Sequence, residues 1–228
     1  IINSPSNPTG MAYSEAELKA LAEVVLEKDL IVISDDIYEK FAYEGFRFAN
    51  IAMTGKEIKE RTIVVNGVSK AYSMTGWRIG YAAGPQDVIS AATDYQSQNT
   101  SNPTSISQKA AAAALKGDQT PAATMVKEFQ KRRDYTVDTL NGIKGIRCMK
   151  PQGAFYAFPN TADLYGKSFR GRRVEGSVDL AAYLLDEAEV AVVPGEPFGS
   201  DEHIRLSFAT SMENIEEGLK RIRQALEG

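Results

Sequence analysis

The sequence predicts an α/β protein, with a partial, mostly parallel sheet in its first part and a smaller α+β domain in its C-terminal part. Two observations carry this. Short, continuously apolar segments alternate with helical stretches over the first hundred residues, as expected for strands covered on both faces. A long helical stretch then leads into short strands mixed with two amphipathic helices.

The elements follow in order. Ile1-Ile2 reads as the end of a strand, and Asn3 to Gly10 as a loop rich in Pro, Ser and Asn. Ser14 starts a helix with Glu17 at the capping-box position, and Leu18, Leu21, Ala22, Val25 and Leu26 form its apolar stripe. Leu30 to Ile33 is a strand that runs into Ser34-Asp35-Asp36-Ile37-Tyr38. A short helix spans Lys56 to Arg61. Thr62 to Val65 and Ile79 to Ala83 are further strands. Asp87 to Lys116 is helical with a break at Asn102-Pro103, and Ala122 to Leu140 is a long helix ended by Gly142 and Gly145. Ile146 to Met149 and Ala154 to Phe158 are strands around Lys150-Pro151-Gln152-Gly153. Leu180 to Ala188 is a helix, Val190 to Val193 and His203 to Phe208 are strands, and Asn214 to Leu226 is a final amphipathic helix. The domain division is placed at 118/119.

The net charge of −4, from 26 basic and 30 acidic side chains, argues against nucleic-acid or anionic-membrane partners. Lys131-Arg132-Arg133 and Arg170-Gly171-Arg172-Arg173 read as solvated faces rather than phosphate sites. A single cysteine, Cys148, excludes an intrachain disulfide and reads as a buried structural thiol. A single histidine, His203, excludes a multi-histidine metal site, and no metal is expected. No apolar run reaches the ~20 residues of a membrane span, and no signal-peptide pattern opens the chain, so a cytoplasmic location is the expectation. No phosphate-binding glycine loop of the nucleotide type is present.

Asn7, Asp35 and Lys70 each follow the carboxyl end of a different expected strand. In a parallel sheet that edge is where ligands bind, so one sheet would gather all three. The most informative run is Ser69-Lys70-Ala71-Tyr72-Ser73-Met74-Thr75-Gly76-Trp77-Arg78-Ile79-Gly80. It places an amine able to form a Schiff base near a guanidinium able to grip a phosphate. This run resembles the cofactor loop of fold-type I pyridoxal-phosphate (PLP) aminotransferases of class I/II, and is most similar to their bacterial aspartate aminotransferase branch. Five further matches follow the family's order across residues 3 to 208: Asn-Pro-Thr-Gly at Asn7, Asp-x-x-Tyr at Asp35 and Tyr38, the Gly153-Ala154-Phe155-Tyr156 segment, Pro194-Gly195 with Phe198-Gly199, and Arg205 in Ile204-Arg205-Leu206-Ser207.

The resemblance implies roles. Lys70 forms the Schiff base with PLP and serves as general acid–base. Asp35 pairs with the ring nitrogen, with the adjacent Asp36 a competing carboxylate that the Asp-x-x-Tyr spacing disfavours. Tyr38 and Asn7 contact the ring oxygen, and Ser69 and Arg78 the phosphate. Arg205 binds the substrate α-carboxylate, and Asn7 is also assigned to substrate binding. The chain departs from many members in having Gly67 where a small hydroxyl residue stands three before the lysine.

The implied activity is amino-group transfer between an aspartate-type amino acid and a 2-oxo acid, in a homodimer whose borrowed loop would lie at 97–105. An aromatic, alanine or kynurenine-type aminotransferase, a lyase, or a catalytically silent folded domain stay open as alternatives. The sequence opens at a point that lies deep inside the cofactor domain of that family. A C-terminal fragment is therefore expected, one that binds PLP weakly alone and exposes apolar sheet surface.

Overall fold

The computed structural model describes residues 1–228, which form two compact units. The first comprises residues 1–6 and 11–126, the second residues 7–10 and 127–228.

The sheet of the first unit runs in the order β1 (Ile2–Asn3), β2 (Val32–Asp35), β3 (Thr62–Gly67), β4 (Gly80–Ala83). The first three strands are parallel and β4 is antiparallel to β3. Helix α1 (Glu15–Glu27) covers one face. Its capping box is formed: Glu17 N–H donates to Ser14 Oγ at 3.3 Å, and Ser14 N–H donates to Glu17 Oε2 at 2.7 Å. Leu18, Ala22 and Val25 pack with Val32, Ile51 and Ile58 into one apolar cluster, while Leu26 falls off the edge of the stripe and is exposed. α2 (Lys56–Lys59) is a single turn. The opposite face of the sheet carries Ile33 and Val65, 38% and 39% exposed. α3 (Gln86–Asn99) buries none of its residues, and α4 (Ser105–Lys116) begins beyond the expected break at Asn102-Pro103.

α5 (Thr120–Asn141) contributes its part from Lys127 onward to the second unit. There β5 (Tyr156–Ala157), β9 (Ile204–Ser207) and β8 (Val193–Pro194) form an antiparallel sheet in the order β5-β9-β8. β6 (Lys167–Phe169) and β7 (Arg172–Val174) form a hairpin. α6 (Ser177–Ala188) packs on α7 (Met212–Glu227), whose buried residues Ile215, Leu219, Ile222 and Ala225 repeat with helical spacing. The buried Tyr183 hydroxyl donates to Ala225 O at 2.7 Å and satisfies a carbonyl in the last turn of α7.

Several expectations need correction. β2 and β8 start later than their apolar runs, for the same reason. Leu30 N–H closes back on Val25 O at 2.9 Å, and Val190 N–H on Leu184 O at 3.1 Å. The residues before them, Asp29 and Glu189, take φ values of 51° and 54°. These are helix C-terminal closures built on a left-handed residue, and they keep the first apolar residues out of the ladders.

Residues 146–149 do not form a strand; only Arg147 bridges, to Asn160. The Asn141 side chain takes the place of a neighbouring strand, accepting from Cys148 N–H at 2.8 Å and donating to Cys148 O at 3.0 Å. The hairpin β6–β7 runs through a stretch read only as charged surface. Its turn residues Arg170 and Gly171 both have positive φ (48° and 81°), as a two-residue turn between twisted strands requires. Arg133, expected on a solvated face, is buried, bonded to Asp134 Oδ1 and Pro151 O. Cys148 is buried as expected, and burial pushes its thiol up to about 11. No helix is long and apolar enough to cross a membrane, and no group of three or more metal-ligating side chains forms.

Candidate active site

The first unit holds Asp35, Tyr38, Ser69, Lys70 and Arg78. Asp35 is the last residue of β2, in register with Asn3 of β1 and Val65 of β3. Asn3 Nδ2 donates to Asp35 O at 3.1 Å, and the Asp35 carboxylate accepts Ile37 N–H at 3.2 Å, which turns the chain away from the sheet. Tyr38 follows, buried. β3 ends at Gly67, and residues 68–74 wind into a tight turn. Tyr72 N–H donates to Val68 O, Ser73 N–H to Lys70 O at 3.2 Å and Met74 N–H to Ser69 O at 3.1 Å. Lys70 and Ser69 are thus half-buried at the carboxyl end of β3, beside the end of β2.

Ser73 and Arg78 in the same loop take left-handed φ values of 53° and 48°. Backbone in that region is costly for residues with a Cβ and concentrates at functional loops. The exposed Arg78 side chain folds back, with Nη1 donating to Thr75 O at 2.9 Å. Gly67 lies where β3 meets β4. A Cβ there would come within 3.2 Å of Ile37 Cδ1 and 3.3 Å of Gly80 Cα, so this crossing disfavours a hydroxyl-bearing side chain.

The pleat separates the two adjacent carboxylates. Asp36 lies on the side of Ser34, buried, accepting from Ser34 Oγ at 2.8 Å and from Asn50 Nδ2. Asn50 Oδ1 in turn caps the turn 51–53 through Ala52 N–H at 2.6 Å. Burial pushes the Asp36 carboxyl up to about 6, against the pull of the Ser34 and Asn50 hydrogen bonds. Asp35 belongs to the other side of the strand.

A pH effect follows. Between the ordinary carboxyl value near 3.8 and about 6, the folded chain binds the Asp36 proton more tightly than the unfolded chain. This group therefore costs stability as pH rises through that window. Asp36→Asn, which mimics the protonated form, is expected to be the more stable protein at pH 7, with the difference vanishing as pH falls to 4. Paired thermal melts across that range check it.

The second unit holds Asn7 and Arg205. Gly10 closes the loop that carries Asn7. Its φ is +67°, a Cβ would meet Pro151 Cβ at 2.5 Å, and its carbonyl accepts from both Gln152 and Gly153 N–H at 2.9 Å. Arg205 sits mid-strand in β9, with Ile204 and Leu206 buried on either side. Its Nη1 donates to Asn7 Oδ1 at 2.7 Å, while its Nε is buried without a partner. The guanidinium carbon lies 4.7 Å from the Tyr156 ring centre and 5.2 Å from that of Phe198. Local sequence patterns assign no role to those two aromatic contacts. They arise from pairing of β5 with β9 and from the turn 196–198, which local spacing does not reveal. His203 stacks on Phe158, and burial lowers its pKa.

The profile of the family described as aminotransferase class I and II matches residues 1–222. The chain belongs to this family. It is 50% identical to the aspartate aminotransferase of Geobacillus stearothermophilus over 227 residues, which is 100% of this chain and 57% of that protein. The crystal structure of the Rhizobium meliloti aspartate aminotransferase superposes with a TM-score of 0.96 at 48% identity, covering 99% of this chain and 57% of that one. An aromatic aminotransferase from Pyrococcus horikoshii superposes with a TM-score of 0.89 at 40% identity, covering 99% and 58%. The mixed sheet and the second unit are thus those of a fold-type I aminotransferase, and the chain spans little more than half the length of these relatives.

Proposed function

We propose that this chain belongs to a PLP-dependent aminotransferase that moves an amino group between an aspartate-type amino acid and a 2-oxo acid. The observation that carries the reading is the placement of Asp35 and Lys70 at the carboxyl ends of adjacent parallel strands in one unit. The donor set fits the cofactor by its chemistry: a carboxylate for a cationic ring nitrogen, an amine for a carbonyl, and a guanidinium with a hydroxyl for a phosphate. The left-handed Ser73 and Arg78 in the loop between amine and guanidinium support the same assignment.

When bound, PLP supplies a ring that accepts the electrons released as the substrate Cα–H bond breaks. Asp35 would keep the ring nitrogen protonated. Arg78 and Ser69 would hold the phosphate, and Tyr38 the ring oxygen. Lys70 would hold the cofactor carbonyl through Nζ. The same Nζ would serve as the general acid–base that holds and moves the substrate Cα proton. Arg205 would grip the substrate α-carboxylate with its planar fork, Asn7 fixing one terminal nitrogen.

On this reading residues 1–118 are the C-terminal portion of the cofactor domain, and 119–228 the interdomain helix and small domain. The whole enzyme is a cytoplasmic homodimer. Steady-state assays of the enzyme that contains this chain, with aspartate, alanine and aromatic donors and a 2-oxo acid acceptor, test the function. The expected outcome is the highest kcat/KM with aspartate. No transfer from any donor would overturn the reading.

A further inference from the structure

We infer that Phe198 is a positioning residue for the Arg205 guanidinium, completing an aromatic clamp whose other jaw is Tyr156. The inference rests on the reading of Arg205 as the carboxylate-binding residue. Three observations converge on it. The guanidinium carbon lies over both rings, at 4.7 Å and 5.2 Å. Only one corner of the fork has a protein acceptor, Asn7 Oδ1. The Nε donor is buried with nothing to satisfy it.

A guanidinium held by one hydrogen bond can swing about its last torsion, and a buried unpaired N–H favours doing so. Two ring faces against the guanidinium oppose that swing through cation–π attraction and contact. They keep Nη1 on Asn7 and fix the plane of the fork for an incoming carboxylate, which needs two parallel donors at once. The fork is then pre-organised before the ligand arrives.

The jaw is built to be rigid. Phe198 ends the turn Glu196–Phe198, which Gly195 anchors. Gly195 N–H donates to His203 O at 2.9 Å, and both Phe198 N–H and Ser200 N–H donate to Gly195 O. A Cβ on Gly195 would stand 2.2 Å from Ser200 O and 2.3 Å from His203 O, so only glycine fits this knot. Behind the jaw, Phe198 meets Phe158 edge-on at 6.2 Å, and Phe158 stacks on His203 at 4.8 Å and 7°. The Ser200 hydroxyl lies 2.8 Å from His203 Nδ1 and fixes the end of the stack. Tyr156 is buried in the sheet, whereas Phe198 is 39% exposed. The Phe198 ring can therefore be removed without opening the core.

Phe198→Leu is compared with Phe198→Tyr and with Arg205→Lys, each checked by thermal melting. In the enzyme that contains this chain, NMR follows hydrogen exchange at the Arg205 Nε–H, and KM and kcat are measured with aspartate. Phe198→Leu is expected to speed the exchange about tenfold and raise KM about tenfold, with kcat held within about twofold. Phe198→Tyr should restore both. Unchanged exchange and unchanged KM in Phe198→Leu, with KM raised in Arg205→Lys, would overturn the clamp and leave the Arg205 assignment standing. An unchanged KM in Arg205→Lys would remove the assignment itself, and the clamp with it.

Discussion

Lys70→Ala in the enzyme that contains this chain is expected to lower amino-group transfer by at least about 10⁴-fold. One side chain is given two tasks, holding the cofactor carbonyl and moving the Cα proton, and alanine performs neither. Lys70→Arg should not rescue the rate. A guanidinium stays protonated at every accessible pH, so it cannot act as a base. The loss should appear in kcat, because Lys70 acts on the bond being broken rather than on the free amino acid. The loop itself should survive. Its turn is tied by backbone bonds from Tyr72 to Val68, Ser73 to Lys70 and Met74 to Ser69, none of which uses the lysine side chain. Turnover of Lys70→Ala within tenfold of the parent would contradict the assignment.

Arg205→Ala is expected to raise KM for the amino-acid donor by about 10²- to 10³-fold, with a smaller effect on kcat. The substitution removes the charge and the planar fork together, and with them the hydrogen bond from Nη1 to Asn7 Oδ1. Arg205→Lys returns a charge but not two parallel donors, so it should recover only part of the loss. Steady-state kinetics with the donor varied at saturating 2-oxo acid give both constants. A KM within threefold of the parent in Arg205→Ala would show that this arginine does not hold the carboxylate.

The sequence is legible where a local rule decides the structure. Ser14 with Glu17 is a capping box in both, and the parallel order of β1, β2 and β3 follows from short apolar runs separated by helical stretches. It is less legible where a side chain or an unusual backbone residue replaces the usual signal. The ends of α1 and α6 are closed by Asp29 and Glu189 rather than by glycine, so the runs that begin at Leu30 and Val190 look longer as strands than they are. Asn141 stands in for a strand neighbour at Cys148, which the apolar pattern at 146–149 cannot disclose.

The site divides in the same way. The loop from Ser69 to Gly80 is recognisable by its residues. The sidedness of Asp35 and Asp36 needed the pleat and the Ser34 and Asn50 partners. The contact of Arg205 with Asn7 joins residues at opposite ends of the chain, and no local pattern encodes it.

The central claim is that Lys70 is the residue that carries the cofactor. The most direct measurement mixes the purified enzyme that contains this chain with PLP, reduces with borohydride, and maps the pyridoxyl group by peptide mass spectrometry. The account predicts a single modified peptide with the label on Lys70. It also predicts that label's loss in Lys70→Ala and a weaker yield in Arg78→Ala. Labelling spread over surface lysines, or labelling that persists at another residue in Lys70→Ala, would contradict it.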